Sequence, residues 1–170
     1  MFDIVIERVF KNEGAFQNDS RDRGNWTSGI IGVGKLNGSK YGISAMSYPT
    51  VDIVNLTLAG AKEIYRKDWW DAMQMESFRP AMQYQMFDAA INHGMYQATK
   101  MLQRAAGSKD DGVIGSMTIG KVSKMDLNDM LMLFLAERLI FMTNIKIWGS
   151  FSKGWARRIA HNLQIASIDN

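Results

Sequence analysis

The chain has 170 residues, 46% of them hydrophobic and 22% charged, with a formal net charge of +3. That is the size of one ordinary domain, with enough apolar content to bury a core and no long polar tract of the kind that stays disordered. It has no cysteine and only two histidines, His93 and His161, so a disulfide framework, a thiolate nucleophile and the common zinc motifs are excluded; no metal or cofactor is expected, and the mild excess of base points to an anionic partner other than nucleic acid.

Residues 2 to 12 place Phe2, Val5, Ile6, Val9 and Phe10 at spacings of three and four, one face of a helix that Gly14 stops. Glu13 is therefore expected at the helix's C-terminal end. The negative end of the helix dipole disfavours an ionised carboxylate there, a bias suited to a general acid. Asp3 and Glu7 stand where a signal peptide would carry positive charge, which sets the expectation of a protein that accumulates in the cytoplasm.

From Ala15 to Ser47 the composition shifts to Gly, Asn, Asp, Ser and Thr with short β-branched runs such as Gly29–Gly34. This predicts loops and a small hairpin with glycine-containing turns. A segment so long and irregular in a compact domain is usually functional, here the wall of a cleft. From Leu56 onward helices are predicted over 56–72, 81–94, 95–106, 117–122, 127–147 and 151–165, with Pro80, Gly94, Gly107, Gly112, Gly115 and Gly149 at the breaks. The expected class is α+β, mostly helical, with the β material near the N-terminus.

Leu127 to Trp148 is the most apolar stretch. Glu137 and Arg138 at its centre argue against a bilayer span and for a buried helix, with Met130, Met132 and Met142 as core filler. Arg138, Lys146, Lys153, Arg157 and Arg158 occur with no acidic residue between positions 138 and 168. Such a distribution reads first as solvated helix surface and second as a contact with an anionic wall or membrane. Asp110-Asp111-Gly112 supplies too few oxygens for a calcium loop and reads as a turn.

Hydrolysing a glycosidic bond requires protonating its oxygen and stabilising an oxocarbenium-like centre, work done by two carboxyl groups across a cleft. Glu13, with Asp19 and Asp22 in the following loop, supplies candidates; by spacing alone, a solvated turn is the commoner meaning. The longer string carries more. Glu13-Gly14-Ala15-Phe16-Gln17-Asn18-Asp19-Ser20-Arg21-Asp22-Arg23-Gly24-Asn25-Trp26-Thr27, followed by Lys40-Tyr41-Gly42-Ile43-Ser44, resembles the glycoside hydrolase family 108 lysozymes of phages and bacteria. Ile64–Asp71 and Phe87–Gly94 resemble later segments of that family. Leu102–Ala106 with Asp111–Gly115 resembles the peptidoglycan-binding half that completes such proteins.

The resemblance implies a lysozyme-like, two-lobed single domain: residues 1–80 a catalytic lobe, residues 81–170 a helical peptidoglycan-binding-like lobe, with the groove between them. It implies a muramidase that cuts the β-1,4 bond between N-acetylmuramic acid and N-acetylglucosamine, with Glu13 as general acid and Asp22 and Thr27 positioning water. Tyr41, Ser39, Trp70 and Asn92 are the candidate substrate contacts. Ala15, Ser20 and Arg23 depart from the family's glycine and prolines, which alters loop stiffness. Ser28 to Gly38 reads as an insertion, so the supporting hydroxyl is Thr27 or, if the gap falls earlier, Ser39; Thr27 is preferred. Bland readings compete elsewhere: one of the adjacent Trp69 and Trp70 belongs in the core, and Asn92 and His93 suit capping or buried hydrogen bonding. A phage endolysin of this kind is expected to be a monomer released from the host cytoplasm to the cell wall by a holin-type partner, with Lys153, Arg157 and Arg158 as an outer-membrane contact. The rival functions are a noncatalytic cell-wall-binding module and a lytic transglycosylase acting on the same bond.

Overall fold

The computed structural model describes residues 1–10 and 16–169. Seven α-helices and one two-stranded antiparallel sheet are present among them, an α+β chain dominated by helix. The chain divides into two compact units, Phe2–Asp68 and Trp69–Asn170 with Met1.

In the first unit, α1 (Phe2–Phe10) buries Phe2, Val5, Ile6 and Val9, the face marked by the spacing of apolar residues. The hairpin pairs β1 (Ser39–Lys40) with β2 (Ile43–Ser44), Ser39 opposite Ser44 and Lys40 opposite Ile43. Its two turn residues, Tyr41 and Gly42, have φ of 52° and 74°, the paired left-handed conformation that matches a tight hairpin to strand twist. Glycine adopts it freely and tyrosine does not. Tyr41 is held there by the Tyr65 hydroxyl, which donates to its carbonyl at 3.1 Å, and by the Phe10 ring 6.0 Å from its own. The Gly29–Gly34 run forms turns and no paired strand, because Gly29, Gly32 and Gly34 all take positive φ and break any extended course.

α2 (Leu58–Tyr65) starts at Thr57, whose hydroxyl accepts from the Gly60 N–H. It is shorter than the sequence pattern suggests, because the coil widens into a π-helical turn over Arg66–Asp71.

The second unit contains α3 (Pro80–His93), α4 (Met95–Ala105), α5 (Ser116–Lys124), α6 (Leu127–Thr143) and α7 (Trp148–Asp169). α3 packs on α4, α6 and α7, and α6 packs on α4 and α7. Ala81 through Ala90 are all buried, so over these residues α3 has no solvent face and each polar side chain there needs an internal partner. Gln83 Nε2 donates to the carbonyls of Met75 and Phe78, and Gln85 Nε2 to that of Asn162. Asp88 receives Arg138 Nη1 at 2.6 Å, Arg158 Nη2 at 2.6 Å and Asn162 Nδ2 at 2.8 Å.

Two readings of the C-terminal third need correction. α6 is buried on one side only: Met130 and Met142 are core, but Met132 is 56% exposed. α6 ends at Thr143, where Asn144 Nδ2 and Thr143 Oγ1 both donate to the Ile140 carbonyl. α7 then begins at Trp148 and runs straight through Gly149. The basic run is also not one surface. Arg138 is fully buried and Arg158 is bonded to Asp88, leaving Lys146, Lys153 and Arg157 exposed. Among the described residues no helix is long and apolar enough to cross a membrane.

Candidate active site

Glu13 lies outside the described residues. The chain enters residues 11–15 from Phe10 and leaves them at Phe16, and both flanking residues border the hairpin. The Phe10 ring meets Tyr41 and, at 5.5 Å, Tyr65. The Phe16 ring lies over Gly38, so close that a Cβ there would come within 2.6 Å of it. Gln17 and Ser39 then exchange two backbone hydrogen bonds at 2.9 Å each.

The loop that follows is built on Asp22 and Asn25. Asp22 Oδ1 accepts from the Gly24 N–H at 2.9 Å and caps a short 3₁₀ turn, Arg23–Asn25. Its other oxygen, Oδ2, accepts from Gln17 Nε2 at 3.2 Å. The same amide nitrogen donates to Ser39 Oγ at 2.8 Å. Asn25 is fully buried, and its Nδ2 donates to Gln17 Oε1 at 2.9 Å and to the Asp19 carbonyl at 3.0 Å. Asp19 faces outward, with its carboxyl held at about 2 by the Arg21 guanidinium and N–H that bond to it.

Thr27 is placed differently. Its hydroxyl accepts the Lys35 N–H at 2.9 Å, and its own N–H donates to the Lys35 carbonyl at 2.9 Å. With the Trp26–Leu36 bridge, these bonds close residues 26–36 into a looped excursion. The chain then returns to where it left: the N–H groups of Asn37 and Gly38 both donate to the Asn25 carbonyl. Residues 26–36 thus form an appendage between Asn25 and Asn37. The structure brings Asp22 and Ser39 onto one amide and turns the Thr27 hydroxyl to the appendage's base.

The remaining sequence candidates are distributed as follows. Tyr41 sits at the hairpin tip, half-buried, with Lys40 Nζ 5.5 Å from its ring centre. Trp70 is fully buried, its indole N–H donating to Glu76 at 2.9 Å and its ring edge-on to Phe87. It packs in the core, so no face of the ring is left for a sugar. Asn92 is exposed and donates to the Asp88 carbonyl at 2.6 Å, one turn back along α3. His93 Nε2 accepts from Arg138 Nε at 3.2 Å; burial, reinforced by the Arg138 charge, pushes its pKa down to about 4.

Gln17 had no role assigned from sequence. The signal available was the polar clustering of residues 17–25, which says that side chains bond one another without saying which. Among the described residues no group of three or more His, Asp or Glu is placed to hold a metal ion. In the second unit, the Asp110–Gly115 segment turns on the buried Gln103 amide, which bonds Asp111 Oδ1, the Val113 carbonyl and the Gly112 N–H.

The sequence profile of the family described as Glycosyl hydrolase 108 matches residues 6–94. Among solved structures, that of Brucella abortus SagA is similar over 99% of this chain and 92% of its own, with a TM-score of 0.77 and 25% sequence identity. No curated protein sequence matches.

Proposed function

The chain belongs to the Glycosyl hydrolase 108 family, which makes it a peptidoglycan-hydrolysing glycoside hydrolase of lysozyme-like fold, and on that premise we propose that it is a muramidase whose general acid is Glu13 and whose water is held by Asp22 and Ser39. Glu13 delivers a proton to the glycosidic oxygen between N-acetylmuramic acid and N-acetylglucosamine as the bond from that oxygen to the anomeric carbon breaks. The water oxygen bonds to the anomeric carbon, and its proton passes to Asp22. The observation that carries this reading is the shared Gln17 amide, which bonds both the Asp22 carboxylate of the loop that follows Glu13 and the Ser39 hydroxyl of β1. Ser39 is assigned here the role that the sequence pattern gave to Thr27, because its hydroxyl shares the Gln17 amide with Asp22 while the Thr27 hydroxyl accepts from the Lys35 N–H.

Mass spectrometry of fragments released from purified peptidoglycan tests the chemistry. Wild type is expected to leave reducing muramic acid ends, and Glu13→Gln and Asp22→Asn to release almost none. Anhydromuramic ends would reassign the enzyme as a transglycosylase. Reducing N-acetylglucosamine ends would mean that the neighbouring bond is cut. Ser39→Ala should cost far more activity than Thr27→Val; the reverse order would return the supporting role to Thr27.

As part of the same proposal, the protein acts as a phage-type endolysin that a holin-type partner releases from the host cytoplasm. Expression with and without a co-expressed holin tests this, and equal lysis in the two would refute it. The exposed Lys153 and Arg157 on α7 are the groups suited to anionic outer-membrane lipid. If Lys153→Glu with Arg157→Glu lyses intact cells from outside as well as wild type does, that contact is not used.

A further inference from the structure

Within the proposed site, one side chain has no chemistry of its own and touches both groups assigned to the water. Gln17 Nε2 carries two hydrogens; one is directed to Asp22 Oδ2 at 3.2 Å and the other to Ser39 Oγ at 2.8 Å. Its Oε1 accepts from Asn25 Nδ2 at 2.9 Å and, more weakly, from the Asp19 N–H at 3.4 Å.

The amide has only one workable orientation. Turned over, its oxygen would face the Asp22 carboxylate, acceptor against acceptor, and its NH₂ would face the Asn25 amide nitrogen and the Asp19 N–H, donor against donor. Asn25 is itself fixed: it is fully buried and its second hydrogen is spent on the Asp19 carbonyl. A buried amide thus orients an exposed one, and the exposed one sets the spacing of a carboxylate and a hydroxyl.

We infer that Gln17 is the positioning residue of the hydrolytic water site, holding the Asp22 carboxylate and the Ser39 hydroxyl in fixed relative geometry and fixing which way the Ser39 proton points. The inference rests on the assignment of Asp22 and Ser39 in the preceding subsection. A serine hydroxyl has one proton to donate. With one Ser39 lone pair taken by Gln17, the Ser39 O–H is left to donate elsewhere, and a water bound to Asp22 is an acceptor within its reach. On Asp22, Gly24 N–H fills one site on Oδ1 and Gln17 one site on Oδ2. Both oxygens retain a lone pair, so the carboxylate is anchored without being saturated, the state required of a group that must accept a proton from water.

The test is steady-state hydrolysis of soluble, uncross-linked glycan fragments by wild type, Gln17→Ala, Gln17→Glu, Asp22→Asn and Asn25→Ala, with circular dichroism to show that each is folded. Gln17→Ala is expected to lower kcat on the order of 10- to 100-fold, the scale of a misplaced reacting group, with KM changed by less than about twofold. Gln17→Glu keeps the shape and reverses the polarity. Near neutral pH its carboxylate opposes that of Asp22. On acidification the pair shares a proton, and the introduced carboxyl then donates its one O–H to Asp22, restoring one of the two bonds that the amide makes, so the ratio of variant to wild-type kcat should rise several-fold from pH 7.5 to pH 5. A purely structural glutamine would give no such crossover. Near-normal kcat in Gln17→Ala, or a Gln17→Glu profile that parallels wild type, overturns the inference. If Asp22→Asn is inactive while Gln17→Ala is not, only the positioning role fails. If Asp22→Asn is itself fully active, the water-site assignment fails and this inference with it. Gln17→Glu differs from the native residue by one group, so it keeps the test decisive if Gln17→Ala or Asn25→Ala folds poorly.

Discussion

Replacing Asp88 with alanine removes the acceptor at the centre of the helical unit. Arg138 donates to it from α6, Arg158 and Asn162 from α7, and Arg138 has no solvent exposure at all. Alanine would leave a buried guanidinium without its counter-charge, a change that costs about 3 to 5 kcal/mol when one partner of a buried pair is removed. Against a total stability of roughly 5 to 15 kcal/mol, that is a fifth of the margin or more. For a chain of this size, each kcal/mol lowers Tm by about 2 to 4 °C, so a fall of about 6 to 20 °C is expected. Thermal and urea unfolding of wild type, Asp88→Ala, Arg138→Met and the Asp88→Leu/Arg138→Met double variant measure it. The double variant carries no orphaned buried charge and should be more stable than Asp88→Ala. A Tm loss under about 3 °C in Asp88→Ala, or a double variant no more stable than it, would refute the claim that this ion cluster joins α3 to α6 and α7.

Further outcomes follow from the same geometry. His93 has a folded pKa depressed to about 4 by burial and Arg138, below its unfolded value, so it favours folding fully above about pH 6.5 and loses that contribution as pH falls toward 4. Asp88 follows at lower pH: burial raises its pKa, but Arg138, Arg158 and Asn162 outweigh that and hold it at about 2, so its contribution is lost between about pH 4 and 2. Urea midpoints between pH 7.5 and 3 should fall in two stages, and His93→Gln should flatten the first. Gly38→Ala places a methyl 2.6 Å from the Gln17 carbonyl at a φ of +78°, so peptidoglycan turnover should drop by about tenfold or more; unchanged turnover would show that the Gln17–Ser39 pairing is not needed. Gly112→Ala drives a Cβ to 2.2 Å from the Tyr96 ring, also at a φ of +78°, and should cost at least about 1 kcal/mol. Adding Tyr96→Ala to Gly112→Ala should recover the steric part of that cost and leave the backbone part, as read from thermal melts.

Much of the fold was legible in the sequence because helices on a core keep a period. The apolar face of α1, the Pro80 start of α3 and the Gly94 break all stand where spacing and breakers put them. What was not legible depends on distant partners. Arg138 and Arg158 looked like surface charge because their shared acceptor lies 50 and 70 positions earlier. Asn144 ended α6 by bonding back to Ile140, a local competition that a search for glycines overlooks. In the candidate site, spacing offered Asp19 and Asp22 alike, and the family resemblance, not the spacing, pointed to Asp22 and left Thr27 and Ser39 as alternative hydroxyls. Which of the two hydroxyls lies beside Asp22 depends on the return of the chain to the Asn25 carbonyl, a long-range bond that local sequence does not show.

The solvent-free course of α3 has a consequence for how the protein is made. The helix is complete in sequence at His93, yet the groups that satisfy Gln85 and Asp88 are Arg138, Arg158 and Asn162. During synthesis from the N-terminus, a nascent chain holding residues up to about α5 carries a helix with an unpaired carboxylate and an unpaired amide on faces that must be dry. It gains little by collapsing around them. Products that stop before Arg158 and Asn162 of α7 are therefore expected to remain more open to proteolysis than the 170-residue chain, which limited digestion of truncated chains would measure.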